Sequence, residues 1–494
     1  MARKNAQPAP QTDQPEQTGI TRITVSGFKS IIDEQSIDIK PLTILAGANS
    51  SGKTSIMQPL LLLKQTLEAP YNPGPLMLDG PNVNFSEAEQ LLSRTIDGYV
   101  EDIFSVGIAL GENRGVVTFL KKSESELFEV EKTIYKDFVP EYCIRADMSL
   151  EELSEMMYSH VEQLTSLTLK LLESRASSEN ANTEYVEYLR QLVDALRRRL
   201  TNVKESFTKA KETGKYPFSL SQNRCFLSYT SSSGLTLIDP GTLSSFPPEQ
   251  IINNYLHQML HLPGLRGNPQ RTYPIIPLGP NFTNFSGRFE TYTASVIHDW
   301  QKNKKQEKLD QLNRDLARLG LTNKIVARQI TSAHVELLVN RLLHGKDGAE
   351  DMVNIVDVGF GVSQAVPVVV ALHAAEPGQL VYIEQPEIHL HPRAQVGLTE
   401  ILADAAQQDK RVIIETHSDL IITGIQSLVA EGRLPSELVK LHWFEQLPNG
   451  FSKITSADLD KVGAFGDWPE DFHKVILAAE NRYLNAAEAH LLEE

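Results

Sequence analysis

Three short stretches put polar and charged side chains where the chain is otherwise apolar. The first, "GANSSGKT" (47–54), fits the pattern G-x-x-x-x-G-K-[ST] with Gly47, Gly52, Lys53 and Thr54. Such a loop curls backbone N–H groups around phosphate oxygens, and the helix it opens adds the positive end of its dipole. In that chemistry Lys53 reaches the β- and γ-phosphates and the Thr54 hydroxyl ligates Mg2+, with Asn49, Ser50, Ser51 and Ser55 in the same cradle. The second stretch, "VYIEQPEIHLHP" (381–392), ends an apolar strand in carboxylates. Glu384 is placed to hold the Mg2+ water shell. Gln385 cannot remove a proton but can orient water, as glutamine does in some GTPases. Glu387 is the spare carboxylate, available to assist a water or to cap a turn. The third stretch, "RVIIETHSDLII" (411–422), ends in Glu415, Thr416, His417 and Ser418, and His417 is placed to contact a γ-phosphate. Upstream, "VDVGFGVSQAVPVVVAL" carries a glycine turn, then Ser363 and Gln364 at the start of an apolar helix whose N-terminus offers donors to an anion. On its own that is a weak signal. His389 and His391 have a metal-like spacing, but no third ligand accompanies them, so no metal is assigned there.

These residues need rigid elements to hold them. "LTILAG" is a buried strand running into the glycine loop, and "IMQPLLLLKQTLE" is the helix that follows. "LVYIE" and "RVIIET" are further buried strands, and ligands bind outside the carboxyl ends of such strands in open α/β sheets. Residues 20–46 and 100–140 are strand-rich. Between them and the later motifs the period changes. Leu150, Leu153, Met157, His160, Leu164, Leu167 and Leu171 step by three and four, as do Val186, Leu189, Val193, Leu196, Leu200, Val203 and Phe207. A narrow seam with charged outer faces predicts an antiparallel helical hairpin. The expected organisation is a disordered tail (1–19), an N-terminal head part (20–145), the hairpin (146–215), a mixed connecting region (216–345) and a C-terminal head part (346–494). In the connecting region, "FLSYTSSSGLTLID" suggests a hairpin, "LHQMLHLPGLRGNPQRTYPI" a loop with Arg266 and Arg271, and "VIHDWQKNKKQEKLDQLNRDLARLGL" a helix.

The chain has 494 residues, 41% of them hydrophobic, enough for a sizeable core. A net charge of −16 argues against non-specific nucleic-acid binding by the whole surface, though not against a local basic groove. Two cysteines, Cys143 and Cys225, suggest a reducing compartment, and no apolar run has the length of a membrane span. A cytoplasmic location is expected.

Taken in order, the motifs resemble those of ABC-type ATPase heads in the SMC, RecF and OLD group. The resemblance is closest to predicted bacterial ATPases that share "GxNSSGKSS", "GxGxSQ", "IEQPExHLHP" and "ETHSD" elements, and it covers about residues 20–95 and 350–470. It implies an α/β P-loop head, a mixed sheet with flanking helices, into which the helical hairpin is inserted. It makes 47–54 the Walker A loop, Glu384 the Walker B acid and His417 the switch histidine. "GFGVSQ" becomes a degenerate signature in which Ser363 contacts the γ-phosphate of an opposite subunit. Gln90 is the candidate for the glutamine that such heads place near Mg2+. Two departures matter: the signature lacks a double glycine, and the acid pair is Glu-Gln.

The function expected from this resemblance is a slow ATPase using ATP and Mg2+. It would dimerise, or form a higher homo-oligomer, through ATP and act as a switch for a separately encoded effector such as a nuclease, in bacterial anti-phage defence. The segment after His417 is too short for the Toprim nuclease domain of OLD proteins. The alternatives are a RecF-like head that binds DNA directly, through Arg197–Arg199, Arg266, Arg271, Lys302, Lys304 and Lys305, or a scaffold that binds ATP without hydrolysing it.

Overall fold

The computed structural model describes residues 19–95, 97–98, 100–111, 114–124, 127–137, 139–176, 183–231, 248–279, 285–342, 351–466 and 482. The expected N-terminal tail and the last expected helix lie outside the described residues, apart from Gly19 and Arg482.

The central element is a six-stranded sheet. Its strand order is Leu260–Leu262, Leu380–Glu384, Arg411–Thr416, Leu42–Gly47, Val439–Gln446 and Ser452–Ala457. The first five run parallel and the last is antiparallel. Alternation along each strand divides the interior into two cores. Leu42, Ile44, Val381, Ile383, Val412 and Ile414 face one core, under the helices Phe360–Ala374, Pro392–Gln407 and Asp419–Ala430. Leu45, Leu380, Tyr382 and Ile413 face the other, under the P-loop helix Lys53–Glu68. Glu384 lies two residues after Tyr382 and Glu415 two after Ile413. The same alternation therefore turns both carboxylates toward the P-loop helix.

That helix is buried around most of its girth. Leu60, Leu61, Leu62 and Leu63 are all fully buried, each worth about 1.5–3 kcal/mol relative to exposure. It lies between the central sheet and an antiparallel sheet ordered Gln35–Asp38, Ile20–Ser26, Ile103–Leu110, Arg114–Lys122, Phe128–Asp137 and Val139–Arg145. Lys64 is buried in the same layer, paired with Glu68 and donating to the carbonyls of Leu256 and Phe285.

The inserted hairpin is present as helices Leu150–Ala176 and Thr183–Thr213. Ion pairs Glu155–Lys211, Glu162–Lys204 and Glu173–Arg197 run in opposite sequence directions, so the arms are antiparallel. Leu153, Met157 and His160 are buried, and burial brings His160 down to about 4, so it sits in the seam as a neutral ring. Leu150 and Leu167 were expected in the seam, but they are 49% and 42% exposed.

The connecting region departs most from expectation. "FLSYTS" pairs backward with Phe218–Asn223, and residues 232–247 lie outside the described part. The reversal occurs at Arg224, in the left-handed region, whose guanidinium donates to the Thr66, Leu67 and Ala69 carbonyls at the end of the P-loop helix. "LHL", expected in a loop, is an edge strand of the central sheet. The single expected helix is two, Thr293–Lys302 and Gln306–Arg318, separated by a turn with Lys304 at positive φ. A small sheet of Tyr273–Pro274, His334–Asn340, Ile325–Thr331 and Met352–Asn354 completes the region.

Candidate functional site

The P-loop leaves its strand through Gly47 and enters its helix through Gly52, both at positive φ. A side chain at Gly47 would strike the Phe444 carbonyl, and one at Gly52 would strike the Ser452 hydroxyl. Ser452 supports the loop from below by donating to the Ser51 carbonyl at 2.7 Å. Asn49 and Ser50 are exposed at the lip, with Ser50 itself at φ 62°, while Ser51 and Ser55 are buried. Lys53 donates to the carbonyls of Gly47 (3.0 Å) and Ala48 (2.7 Å), folded back over its own loop. Burial brings its ammonium down to about 8, against the pull of Glu415 and Glu387.

Glu384 and Glu415 occupy the same rung of neighbouring parallel strands. Glu415 accepts from the Thr54 hydroxyl at 2.9 Å and from the Tyr382 hydroxyl. It is 4% exposed, and burial beside the Glu384 charge pushes its carboxyl up to about 7. Glu384 lies 3.1 Å from the buried His261 Nε2 and accepts from the Gly264 N–H at 3.0 Å. Burial works against its ionisation, but the His261 and Gly264 bonds outweigh it and hold the carboxyl below its usual range. Burial keeps His261 itself neutral at pH 7, so Nε2 carries the proton it gives to Glu384. Nδ1 lies 3.0 Å from the Asn82 side-chain oxygen while the Asn82 Nδ2 has no partner, and exchanging the two ends of that amide gives Nδ1 its donor.

The loop after Glu384 is tightly held. Gln385 sits at φ 43° and donates its backbone N–H to the Glu415 carbonyl at 2.8 Å. Glu387 accepts from the Thr416 hydroxyl and the His417 N–H, both at 2.9 Å, and its other oxygen is buried without a partner. Burial raises its carboxyl above the usual range. It therefore performs the turn-capping role and still offers an open acceptor beside Lys53. His417 is held beside the Gly47 carbonyl and near Lys53, and burial together with that charge lowers its imidazole.

Thus the structure brings Lys53, Thr54, Glu384, Glu387 and His417 together. The structure does not bring Ser363, Gln364 or Gln90 to the same place. Ser363 donates to the Phe360 carbonyl in the first turn of its helix, and Gln364 faces the Gly267 carbonyl. Gln90 is exposed in a short 3-10 turn, with its amide bonded to Ser86. His391 caps the helix Pro392–Gln407, accepting from the Arg393 N–H, so its spacing to His389 has a structural cause. Among the described residues no cluster of three or more His, Cys, Asp or Glu forms a ready metal cage. The arrangement of Thr54 with carboxylates fits a hydrated cation shared with phosphate oxygens.

Four residues of this site were not assigned to it from the sequence: Glu415, Tyr382, His261 and Arg266. Arg266 was expected on the surface, but it is buried and donates to the carbonyls of Glu384 (3.0 Å), Gln364 and Gln385. Burial lowers it to about 10. The available signal for Glu415 was an acid closing a strand of otherwise buried residues. For His261 it was a lone polar residue in "MLHL", which as a loop carried no face.

Residues 42–423 match the family model described as "AAA domain, putative AbiEii toxin, Type IV TA system". The chain belongs to that family. The matched span of this AAA-domain protein runs from the P-loop strand to the helix after His417. No curated protein matches the chain. Among solved structures it is similar to an Smc head bound to the C-winged helix domain of ScpA, 11% identical, covering 90% of this chain and 98% of that one, with TM-score 0.45. It is also similar to a Pyrococcus furiosus Smc head with an extended coiled coil bound to the C-terminal domain of ScpA (12%, 89% and 96%, TM-score 0.41). A third is an SMC head from Thermotoga maritima (11%, 88% and 98%, TM-score 0.37). The fold is that of an α/β P-loop ATPase head. No helix among the described residues is long and apolar enough to cross a membrane.

Proposed function

We propose that this AAA-domain protein binds Mg-ATP, hydrolyses it slowly, and uses the nucleotide to close a dimer that signals to a separate effector. The observation that carries this reading is the convergence of Lys53, Thr54, Glu384, Glu387 and His417 at the carboxyl ends of three adjacent parallel strands. The loop amides receive the phosphates, and Lys53 exchanges its two carbonyl partners for phosphate oxygens. Thr54 and Glu384 would hold Mg2+, which when bound would supply positive charge against the phosphate oxygens. Gln385 orients the attacking water and Glu387 accepts its proton through its open oxygen. Slowness follows from having a glutamine where a second acid would stand. Ser363, in the first turn of its own helix, serves the nucleotide of the opposite subunit.

An effector and a role in anti-phage defence agree with the toxin description of the family and belong to the same proposal. Of the arginines named for direct DNA binding, Arg266 is buried, while Arg271 and Arg197 are exposed and paired with Asp357 and Glu173.

The test is light scattering and phosphate release on one sample, with and without Mg-ATP, for wild type and Lys53→Ala. Wild type should assemble on ATP and release phosphate slowly, and the variant should do neither. Unchanged mass with no phosphate in any condition would leave ATP at most a structural ligand.

A further inference from the structure

The strand "VYIEQPE" lacks a second acid directly after the first, yet the folded sheet has one beside it. Glu415 stands on the same rung as Glu384, one strand nearer the P-loop, and both carboxylates face the P-loop helix. We propose that Glu415 is a positioning residue of the metal half of this site: it takes the hydrogen of the Thr54 hydroxyl, so that the Thr54 oxygen presents its lone pairs to the cation.

The inference rests on the Mg-ATP reading above. A hydroxyl can ligate a cation only through oxygen, and its hydrogen then needs another acceptor. Glu415 Oε2 is that acceptor, 2.9 Å from Thr54 Oγ1. The other oxygen of Glu415 is fixed by the Tyr382 hydroxyl, so the carboxylate cannot turn away. Tyr382 is fully buried and stacks on His261 with ring centroids 5.4 Å apart and planes 10° apart. His261 in turn holds Glu384 at 3.1 Å. One row, Thr54–Glu415–Tyr382–His261–Glu384, buried at its three middle members, thus orients both residues that would hold the cation. A purely structural role explains it poorly. Ile413 and Ile414 show that an apolar side chain suits this strand, whereas a carboxylate 4% exposed beside a second one opposes folding.

The experiment is calorimetric titration with ATP in EDTA and in Mg2+, together with Mn2+ binding to the ATP complex by EPR. The proteins are wild type, Glu415→Met, Glu415→Gln, Thr54→Val and the Glu415→Met/Thr54→Val double variant. Methionine keeps the volume and removes both acceptors, while glutamine retains one. Glu415→Met should not weaken metal-free ATP binding, since it removes a negative charge near Lys53, and should weaken the metal-dependent tightening about 10–100-fold. Glu415→Gln should recover part of that loss. In the Thr54→Val background Glu415→Met should add much less than it does alone, because the proposed route runs through Thr54. Full tightening in Glu415→Met, or an additive loss in the double variant, overturns the assignment. If Glu415→Met does not fold, Glu415→Asp carries the same test, since it keeps the charge but is one methylene short of Thr54. A wild type that binds no nucleotide sinks the Mg-ATP reading and this assignment with it. A wild type that binds Mg-ATP normally while the variants match it sinks only the role of Glu415.

Discussion

At the carboxyl edge of the central sheet, Glu415 is buried and Glu384 and Glu387 are half-buried, with few cationic or donor groups around them. Along the helical arm, Glu155, Glu162 and Glu173 are exposed, and each faces a lysine or arginine on the opposite helix. The same residue type is therefore used in two ways. On the arm the charges remain hydrated, so ionisation is easy and each pair contributes little. At the sheet edge burial makes every charge expensive, and the carboxylates of Glu387 and Glu415 are pushed upward. Side chains kept in such a place serve something other than folding. The arm also shows what folding alone requires: apolar burial at its root and hydrated charge beyond it.

The largest effects should come from the sheet edge and appear in turnover. Glu387→Ala removes the only carboxylate with an open, buried oxygen beside Lys53 among the described residues. Steady-state phosphate release should fall about 100-fold, the scale of a lost general base. Gln385→Glu should raise it, by restoring an acid next to Glu384. Turnover in Glu387→Ala equal to wild type would remove Glu387 from the chemistry and place the proton acceptor elsewhere.

Next comes the root of the arm. Leu153 is fully buried and packs into the core shared by the antiparallel sheet and the P-loop helix. Leu153→Ala should cost about 2–5 kcal/mol in chemical denaturation, with ATP affinity of the folded fraction unchanged. A small loss there would mean that the arm docks loosely, and the contrast between its root and its outer surface would disappear.

How far the sequence made this architecture legible differs between the same two regions. The P-loop, "LVYIE" and "RVIIET" announced their strands because buried parallel strands are continuous apolar runs. The arm announced itself by period, although Leu150 and Leu167 show that period does not tell which seam positions are covered. What stayed hidden depends on contacts between distant segments. "LHL" is too short to show periodicity, and only its pairing with Leu380–Glu384 makes it a strand and turns His261 toward Glu384. Arg266 looked like surface charge because nothing local says that the Glu384 turn will close over it. The second acid was invisible for the same reason: Glu384 and Glu415 are 31 residues apart and become neighbours only through register.

Glu415 also gives a pH signature that the arm cannot. Its carboxyl rises from 4.5 to about 7 on folding. A group raised in this way favours the folded state when protonated. That contribution is complete below 4.5, fades as pH rises, and is lost above 7. At about 1.4 kcal/mol per pH unit, ionised Glu415 leaves the nucleotide-free protein less stable at pH 8 by something on the order of 3 kcal/mol. Glu415→Gln should therefore be more stable than wild type at pH 8, with the gap closing toward pH 5. A gap that is constant with pH would show that Glu415 does not titrate in this window.

The smallest expected effect is on the arm surface. Arg197 meets Glu173 at 2.7 Å, but their side chains are 60% and 49% exposed. Water already solvates both charges, and holding two long side chains in one geometry lowers their entropy, so the pair contributes at most a few tenths of a kcal/mol. Arg197→Ala should leave the denaturation midpoint, nucleotide affinity and phosphate release at wild-type values in moderate salt. If stability is unmoved but the signal to an effector is lost, the exposed charge of the arm is a recognition surface. If stability drops by more than about 1 kcal/mol, the arm depends on its charges as the sheet edge does, and the distinction between hydrated and buried carboxylates is too sharp.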